Sequence, residues 1–258
     1  MDPASLPLFS HGQMRKRWRY VGLFSDEVML CAARAEVGPL AQSFWIFWDR
    51  EGRNHAARTI LRPGSREVTL DGPRLEIDGP DLRASLRFGE IAPIETTCPS
   101  GRAEAWTRKR VGMPVEGTVE VPGRRWQVSG RGVDDESAGH HRRETSWRWS
   151  AGVGEAADGR PVAWNLVEGI NDPPSGSERA IWVDGEPTEP PPVRFRGEGI
   201  DLDGERLEFQ GESEHLHNEN YLLIRSDYRH RFGSFSGKLG GLELASGLGV
   251  MEEHDARW

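Results

Sequence analysis

The sequence predicts an all-β protein made of two antiparallel units in tandem, each a barrel or a sandwich. Three observations support this: short runs of alternating apolar and polar residues, glycine-containing turn signals between them, and an internal repeat. Alternation with a period of two is typical of half-buried strands, and no window shows sustained helical periodicity. Many short antiparallel strands must hide their edges, which sandwiches and barrels achieve.

The repeat is clearest in two eight-residue segments. Ser129–Glu136 reads SGRGVDDE, and Ser246–Glu253 reads SGLGVMEE. Their separation far exceeds the roughly 20 to 50 residues of solenoid repeats, so it indicates duplication of a whole domain. A chain of 258 residues has room for two domains of common size. We therefore predict a first domain over residues 1–137 and a second over residues 138–258.

Alternation predicts strands in both halves of the chain. The clearest runs are Arg17–Phe24, Leu75–Ile77, Leu82–Phe88, Val115–Val121, Arg206–Phe209 and Tyr221–Tyr228. Hairpin turns are expected wherever Asp precedes Gly, because both residues tolerate the positive φ of a type I′ turn. These pairs are Asp71-Gly72, Asp78-Gly79, Asp158-Gly159, Asp184-Gly185 and Asp203-Gly204.

Four other segments complete the predicted layout. Short helical turns are expected at Asp26–Cys31 and Gly38–Gln42, and a proline-rich loop at Glu186–Pro192. The joint between the two units is expected near Asp134–Thr145, where charge is dense and alternation stops.

Charge and composition exclude several function classes. The formal net charge of -8 disfavours binding to a phosphate backbone, so we expect no nucleic-acid partner. Cys31 and Cys98 form no disulfide framework and are interpreted as buried thiols in a reducing compartment. Residues 1–13 contain no apolar stretch long enough for a signal peptide, and no segment approaches the roughly 20 apolar residues of a membrane span. We expect a cytoplasmic protein without an integral membrane segment.

Five segments carry a resemblance to a known family. They read KRWRY at Lys16–Tyr20, DESAGHHRRETSWRWSAG at Asp135–Gly152, VAWNL at Val162–Leu166, FGSFSG at Phe232–Gly237 and GLGVMEEHDARW at Gly247–Trp258. Together they resemble DUF2804, a bacterial family of uncharacterised proteins.

The resemblance implies a lipocalin-like, calycin-type fold for each unit. More distant relatives of that family are two-barrel proteins that include carotenoid hydratases and cyclase-type enzymes, which act on apolar substrates. The resemblance carries over no catalytic residue and no cofactor. The chain is shorter than expected of the family, before Phe9 and in some loops within the domains.

The acidic ends of the two repeated segments are candidate catalytic positions. The clusters are Asp134, Asp135 and Glu136 in the first half and Glu252, Glu253, His254 and Asp255 in the second, and they are expected to follow strand ends and to converge where the units meet. Asp135, Glu253 and His254 are the catalytic candidates among them. Closely spaced carboxylates raise one another's pKa, which suits a general acid at neutral pH. The alternative is that these groups form surface ion pairs with nearby arginines.

A second candidate set is aromatic. Trp147 and Trp149, two residues apart, share one face of a strand, and Trp164 shares a face of the next strand with Glu168. Asn165 takes the opposite face from Trp164. We predict that Trp147, Trp149, Trp164 and Asn165 bind a ligand and that Glu168 is a catalytic carboxylate in the same cavity. The alternative is core packing of the indole rings.

Metal and cofactor sites are not expected. His215 and His217 would share a strand face, but no third ligand lies nearby in the sequence. Phosphate-binding glycine loops, serine-hydrolase elbows and paired Cys-x-x-Cys motifs do not occur.

Two classes of function therefore stay open at the level of sequence. The first is binding of an apolar small molecule, of lipid or isoprenoid type, in a tryptophan-lined cavity or in the cleft between the units. The second is a hydratase, isomerase or cyclase that uses an acidic residue near the seam. A scaffold with a filled core and no ligand is a third alternative, and the sequence does not indicate an oligomeric state.

Overall fold

A computed structural model describes residues 5–62, 64–221 and 224–257, and those residues form antiparallel strands and turns with no helical segment. The strands are β1 (Phe9–Ser10), β2 (Gln13–Met14), β3 (Lys16–Phe24), β4 (Val28–Val37), β5 (Leu40–Asp49), β6 (Asn54–Ile60), β7 (Val68–Asp71), β8 (Arg74–Asp78), β9 (Arg83–Phe88), β10 (Ile94–Ser100), β11 (Ala103–Val121), β12 (Arg124–Gly139), β13 (Glu144–Ala156), β14 (Pro161–Glu168), β15 (Ala180–Val183), β16 (Glu186–Thr188), β17 (Val193–Phe195), β18 (Gly199–Leu202), β19 (Glu205–Tyr221), β20 (Ile224–Leu239) and β21 (Leu242–Arg257). The predicted all-β class is confirmed.

Two large sheets share the same strand order. The first sheet runs β6-β5-β4-β3-β12-β11-β9-β8-β7, with β10 also paired to β11. The second sheet runs β16-β15-β14-β13-β21-β20-β19-β18-β17. In each sheet the first four strands form a meander, and the last strand of the unit returns to pair with its first. The two repeated segments lie in these returning strands, β12 and β21, at the middle of each sheet.

Of the five Asp-Gly pairs predicted as hairpin turns, two have the geometry of a type I′ turn. Asp184 and Gly185 have φ of 52° and 85°, and Asp203 and Gly204 have φ of 46° and 82°. Both residues of each pair are in the left-handed region, as a type I′ hairpin requires. The two helical turns predicted from sequence are wrong, because Val28–Val37 and Leu40–Asp49 are strands paired to each other. Of the predicted proline-rich loop, Glu186–Thr188 forms strand β16.

The observed strands also differ from three other predictions. The predicted domain boundary after residue 137 falls inside β12, and the connection between the two sheets is residues 140–143. Of the strand predicted over Tyr221–Tyr228, Tyr221 is the last residue of β19 and Ile224–Tyr228 belong to β20; Leu222 and Leu223 lie outside the described residues. The acidic repeats lie within β12 and β21 instead of following strand ends.

Three apolar cores hold the fold together. One lies inside the first sheet, whose strand β7 curls over to contact β4 and β5, and one lies inside the second sheet, whose strand β17 contacts β14. The third core lies between the sheets and draws side chains from both, among them Tyr20 and Phe24 from the first and Trp149 and Phe232 from the second. Burial on this scale is the main favourable term in folding, so the two sheets stabilise each other.

The described part of the chain, with its gaps at residue 63 and at residues 222–223, contains no helix long and apolar enough to span a membrane.

Candidate functional site

A cavity opens beside the core that joins the two sheets. Its volume is about 100 Å³ for the centres of water-sized molecules. One water needs roughly 10 to 15 Å³ on that measure, so the space holds several waters or part of a small organic molecule. We call it the central cavity. Its lining residues are Lys16, Arg17, Trp18, Tyr20, Ala35, Glu36, Val37, Lys109, Asp135, Ser137, His141, Thr145, Trp147, Trp149, Val167, Ile170, Asn171, Glu178 and Glu252.

The central cavity has several aromatic side chains in its walls, and polar side chains line both its outer part and its deep part. Trp18 of the first sheet and Trp147 of the second are half-buried, whereas Tyr20 and Trp149 are buried. The ring of Tyr20 meets Trp149 edge-on, with ring centroids 5.2 Å apart. Edge-to-face contacts of this kind are favourable between aromatic rings and fix their orientation. The side chains from the two sheets therefore form one continuous wall.

Asp135 lies in a buried ion-pair cluster on the first-sheet side of the cavity. The Lys109 ammonium lies 2.5 Å from Asp135 Oδ1 and 3.3 Å from Glu178 Oε2. Burial raises the pKa of Asp135 to about 6, and the Lys109 charge opposes that rise. Burial alone would lower the pKa of Lys109, but the charges of Asp135 and Glu178 outweigh it and raise that pKa. Lys109 thus stays charged and favours the ionised form of Asp135.

Glu252 faces the same cavity from the second sheet, with neutral hydrogen-bond partners. Trp147 Nε1 donates to Oε1 at 2.9 Å, and the Tyr228 hydroxyl donates to Oε2 at 2.8 Å. Burial raises the pKa of Glu252 to about 7, against the opposing effect of these two donors. Near neutral pH this carboxyl group is therefore partly protonated.

Asp135 and Glu252 occupy equivalent places in the two sheets. Each is the seventh residue of its repeated segment. Asp135 is paired across the sheet with Tyr20 and Lys109, and Glu252 is paired with Trp149 and His230 in the same way. Residues directly opposite in antiparallel strands project from the same face, so both acids point into the space between the sheets.

Lys109 and His230 hold equivalent positions beside Asp135 and Glu252, but they differ in charge. Lys109 is a cation beside Asp135, whereas His230 beside Glu252 is a fully buried imidazole whose pKa burial lowers to about 3. His230 Nε2 shares a hydrogen bond with the Tyr20 hydroxyl, 3.1 Å away. His230 is thus neutral and bonded to the opposite sheet, so Glu252 gains no positive partner from it.

The predicted tryptophan set divides between two places. Trp147 and Trp149 line the central cavity. Trp164 lies in the core inside the second sheet, where its Nε1 donates to Ser150 Oγ at 3.1 Å and its ring packs on Phe235. Asn165 takes the opposite face, as predicted from alternation.

Asn165 supports the cavity wall without lining it. It accepts a hydrogen bond from Trp149 Nε1 at 2.7 Å and donates to the Glu178 carbonyl at 2.8 Å. The amide therefore fixes the orientation of the Trp149 ring.

Two of the predicted acids lie away from the central cavity. The Glu168 carboxylate accepts hydrogen bonds from Arg194 Nη1 at 2.8 Å and from the Phe195 backbone N–H at 2.9 Å. Glu253 pairs with Arg229 and Arg231, each at 3.4 Å, on the opposite face of β21 from Glu252. Both carboxylates are therefore paired with arginine side chains, in line with the ion-pair alternative given for the acidic candidates.

His254 lies behind the cavity wall. Its ring packs on that of Trp147, with centroids 4.3 Å apart, and its Nε2 shares a hydrogen bond with Ser226 Oγ at 2.8 Å. It therefore supports the tryptophan without lining the cavity.

Sequence reasoning missed several residues of the cavity: Trp18, Tyr20, Lys109, Glu178 and Glu252. Glu252 stands in the second repeated segment and Trp18 in Lys16–Tyr20, which resembles the family, so these segments were the available signal for them. Lys109 and Glu178 carry no such signal, because long-range strand pairing brings them together.

The histidines of β19 form no metal site. The rings of His215 and His217 are stacked with centroids 6.2 Å apart, and His217 Nε2 contacts Glu219 Oε1 at 2.9 Å. Among the residues that the structure describes, no group of three or more His, Cys, Asp or Glu side chains could hold a metal ion.

Two solved structures resemble the chain in fold. A protein assigned as an AttH from Nitrosomonas europaea has a TM-score of 0.55 and 10% sequence identity, over 95% of this chain and 93% of its own. Kievitone hydratase from Nectria haematococca has a TM-score of 0.60 and 10% identity, over 94% of this chain and 88% of its own. At this identity the likeness concerns the fold alone.

A comparison with curated proteins found no match. A family model described as a domain of unknown function, DUF2804, matches residues 63–258. The match covers most of the chain, with the second sheet and strands β7 to β12 of the first, and it confirms the resemblance seen in the sequence. The chain belongs to the DUF2804 family.

Proposed function

We propose that this protein binds a small, largely apolar molecule, of lipid or isoprenoid type, in the central cavity. The observation that carries the proposal is an unfilled space between the sheets, walled by Trp18, Trp147 and Trp149. Small-molecule sites are usually concave and apolar, with a few polar groups that fix the orientation of the ligand. Here Asp135 and Glu252 are those polar groups.

The arrangement of the cavity supports entry of a ligand from solvent. Half-buried residues such as Arg17, Trp18 and Val37 form its outer part, and buried residues such as Lys109 and Glu178 form its deep part. An apolar body would contact the indole rings, and a polar group would reach the carboxyl groups. The insides of the two sheets are filled by their own cores, which leaves the space between them for the ligand.

Native mass spectrometry and solvent extraction of the purified protein test the proposal. We expect a co-purifying apolar compound, or, for ligand-free protein, quenching of tryptophan fluorescence by the isoprenoid ketone β-ionone. Ala35→Phe places a larger side chain in the cavity and should weaken β-ionone binding, whereas Arg34→Phe, one residue away on the exposed face, should not. Repeated recovery of ligand-free protein that shows no quenching would contradict the proposal and favour the scaffold alternative.

A second candidate function is an enzyme of hydratase, isomerase or cyclase type. It is favoured by the two buried carboxyl groups in one aromatic cavity, since enzymes tune carboxyl pKa values toward neutrality by burial. The similarity in fold to a kievitone hydratase is in line with this candidate. The two candidates differ in one observable, which is whether a bound molecule is chemically changed.

We also infer a reducing, cytoplasmic environment. Cys31 and Cys98 are both free and buried, and burial raises the pKa of Cys98 to about 11. Thiols of this kind are inert and are typical of proteins that keep no disulfides. Recovery of unmodified thiols after extraction under alkylating conditions tests this inference.

A further inference from the structure

The two acids of the central cavity differ in what surrounds them, although they hold equivalent positions. Asp135 touches a buried ammonium, that of Lys109, at 2.5 Å. At the position equivalent to Lys109, Glu252 has His230, which is neutral and bonded to Tyr20. An ammonium partner favours the ionised form of a carboxyl group, whereas two neutral donors leave the protonated form accessible, and such a difference in partners is a basis for separate base and acid roles.

The surroundings of Glu252 leave its proton available to a ligand. Trp147 donates to Oε1 and Tyr228 donates to Oε2, and both are neutral donors. When Glu252 is protonated on Oε2, that oxygen still accepts from Tyr228 while its own O–H points elsewhere. The titratable groups that interact with Glu252 are Tyr228 on its own sheet and, on the first sheet, Asp135, Lys109, Tyr20 and Cys31.

We propose that Glu252 is a general acid and Asp135 a general base, and that together they transfer protons on an α,β-unsaturated carbonyl compound held between the tryptophan rings. This inference rests on the proposed binding function and adds to it a reaction and a substrate class. Lys109 is a positioning residue, because its ammonium holds the Asp135 carboxylate and favours its ionised form.

A conjugated carbonyl suits these groups better than an isolated alkene. A carboxylic acid that titrates near neutral pH is too weak to protonate an unactivated carbon–carbon double bond, but it matches the oxygen of a developing enol. An apolar molecule with one carbonyl also fits a cavity with aromatic walls and few polar groups.

The reaction balances within the two carboxyl groups and one water. Asp135 takes a proton from water as the water oxygen bonds to the β-carbon; the π electrons shift toward the carbonyl, whose oxygen takes the proton of Glu252. The resulting enol returns its O–H proton to Glu252, and the α-carbon takes the proton from Asp135. Water is added across the double bond, and both carboxyl groups regain their starting states. The reverse sequence eliminates water.

Deuterium uptake tests the inference without knowledge of the natural substrate. β-Ionone, an isoprenoid enone, is incubated with the protein in D₂O, and mass spectrometry measures deuterium bound to its carbons. We expect uptake well above that of buffer, and a fall of roughly 100-fold in Glu252→Gln and in Asp135→Asn, in line with the usual contribution of acid–base groups. Glu253→Gln and Glu136→Gln, whose side chains project from the opposite faces of β21 and β12, are the matched controls and should stay within about twofold of wild type.

The outcomes separate this inference from the binding proposal. β-Ionone that quenches tryptophan fluorescence but takes up no deuterium leaves binding intact and overturns the acid–base inference. Uptake that is unchanged in Glu252→Gln also overturns it.

Infrared difference spectra provide a second readout that does not depend on turnover. A protonated carboxylic acid band should appear in wild type near neutral pH, persist in Glu253→Gln and vanish in Glu252→Gln. Its presence in Glu252→Gln would overturn the assignment.

Discussion

Tyr20 of the first sheet and His230 of the second share a hydrogen bond of 3.1 Å in the core between the sheets. Tyr20 also pairs across its own sheet with Asp135, and His230 pairs with Glu252. The contact therefore links the strands that carry the two cavity acids. It is one of several polar contacts between the sheets, with Cys31 Sγ to His230 Nε2 at 3.6 Å and Lys109 to Glu178 among the others, and it helps to fix how one sheet lies against the other.

Tyr20→Phe should lower the free energy of unfolding by about 1 to 3 kcal/mol, because it leaves a buried imidazole nitrogen with one partner fewer. Urea denaturation measures the change. His230→Phe and the double variant complete a double-mutant cycle, in which we expect the two effects to be less than additive. Strict additivity would show that the hydrogen bond contributes nothing to stability.

Lys109→Met should destabilise the fold by about 3 to 5 kcal/mol, because Asp135 and Glu178 would lose their shared cation in a buried site. Adding Asp135→Asn should recover part of this loss, since one uncompensated charge is then removed. Thermal unfolding of the single and double variants checks the prediction. A double variant no more stable than Lys109→Met would mean that Asp135 is already uncharged in the folded protein.

The stability that depends on Glu252 should fall as pH rises. The pKa of Glu252 is about 7 in the folded protein and about 4.5 when unperturbed, so the folded state binds the proton more tightly. This contribution is fully present below about pH 4.5 and is lost as pH rises through about 7. We therefore expect the unfolding free energy of wild type to fall relative to that of Glu252→Gln as pH rises from about 4.5 to about 8. Glu253→Gln should show no such divergence.

Gly152→Ala should destabilise the second sheet by about 1 to 3 kcal/mol through overpacking. A Cβ at Gly152 would clash with the Trp164 ring. Gly211→Ala is a matched control, because its Cβ would find ordinary contact with Phe209 at 3.5 Å. Equal stability of the two variants in urea would show that Trp164 can move aside.

The sequence predicted the class of fold and part of the site, and alternation was the reason. Trp147 and Trp149 share a face, and Asn165 and Trp164 take opposite faces, as a period of two requires. That the two sheets arose by duplication stays a prediction, supported by their identical strand order.

The sequence predictions are wrong where strands are buried on both faces. In β21, Val250 faces the core between the sheets and Met251 faces the core inside the second sheet, so apolar alternation disappears there. The sequence then could not distinguish the inward Glu252 from the outward Glu253. The helical turn predicted at Asp26–Cys31 is wrong for the same reason. The apolar run that begins at Val28 is buried on both faces, and such burial removes the period of two that identifies a strand.

The differing neighbours of Asp135 and Glu252 have a consequence for symmetry. A two-fold dimer of single sheets would repeat every residue, so both acids would face either a lysine or a histidine and would titrate alike. One chain that contains both sheets is free of that constraint. Lys109 and His230 can differ, and a binding site between two similar halves can distinguish one end of its ligand from the other.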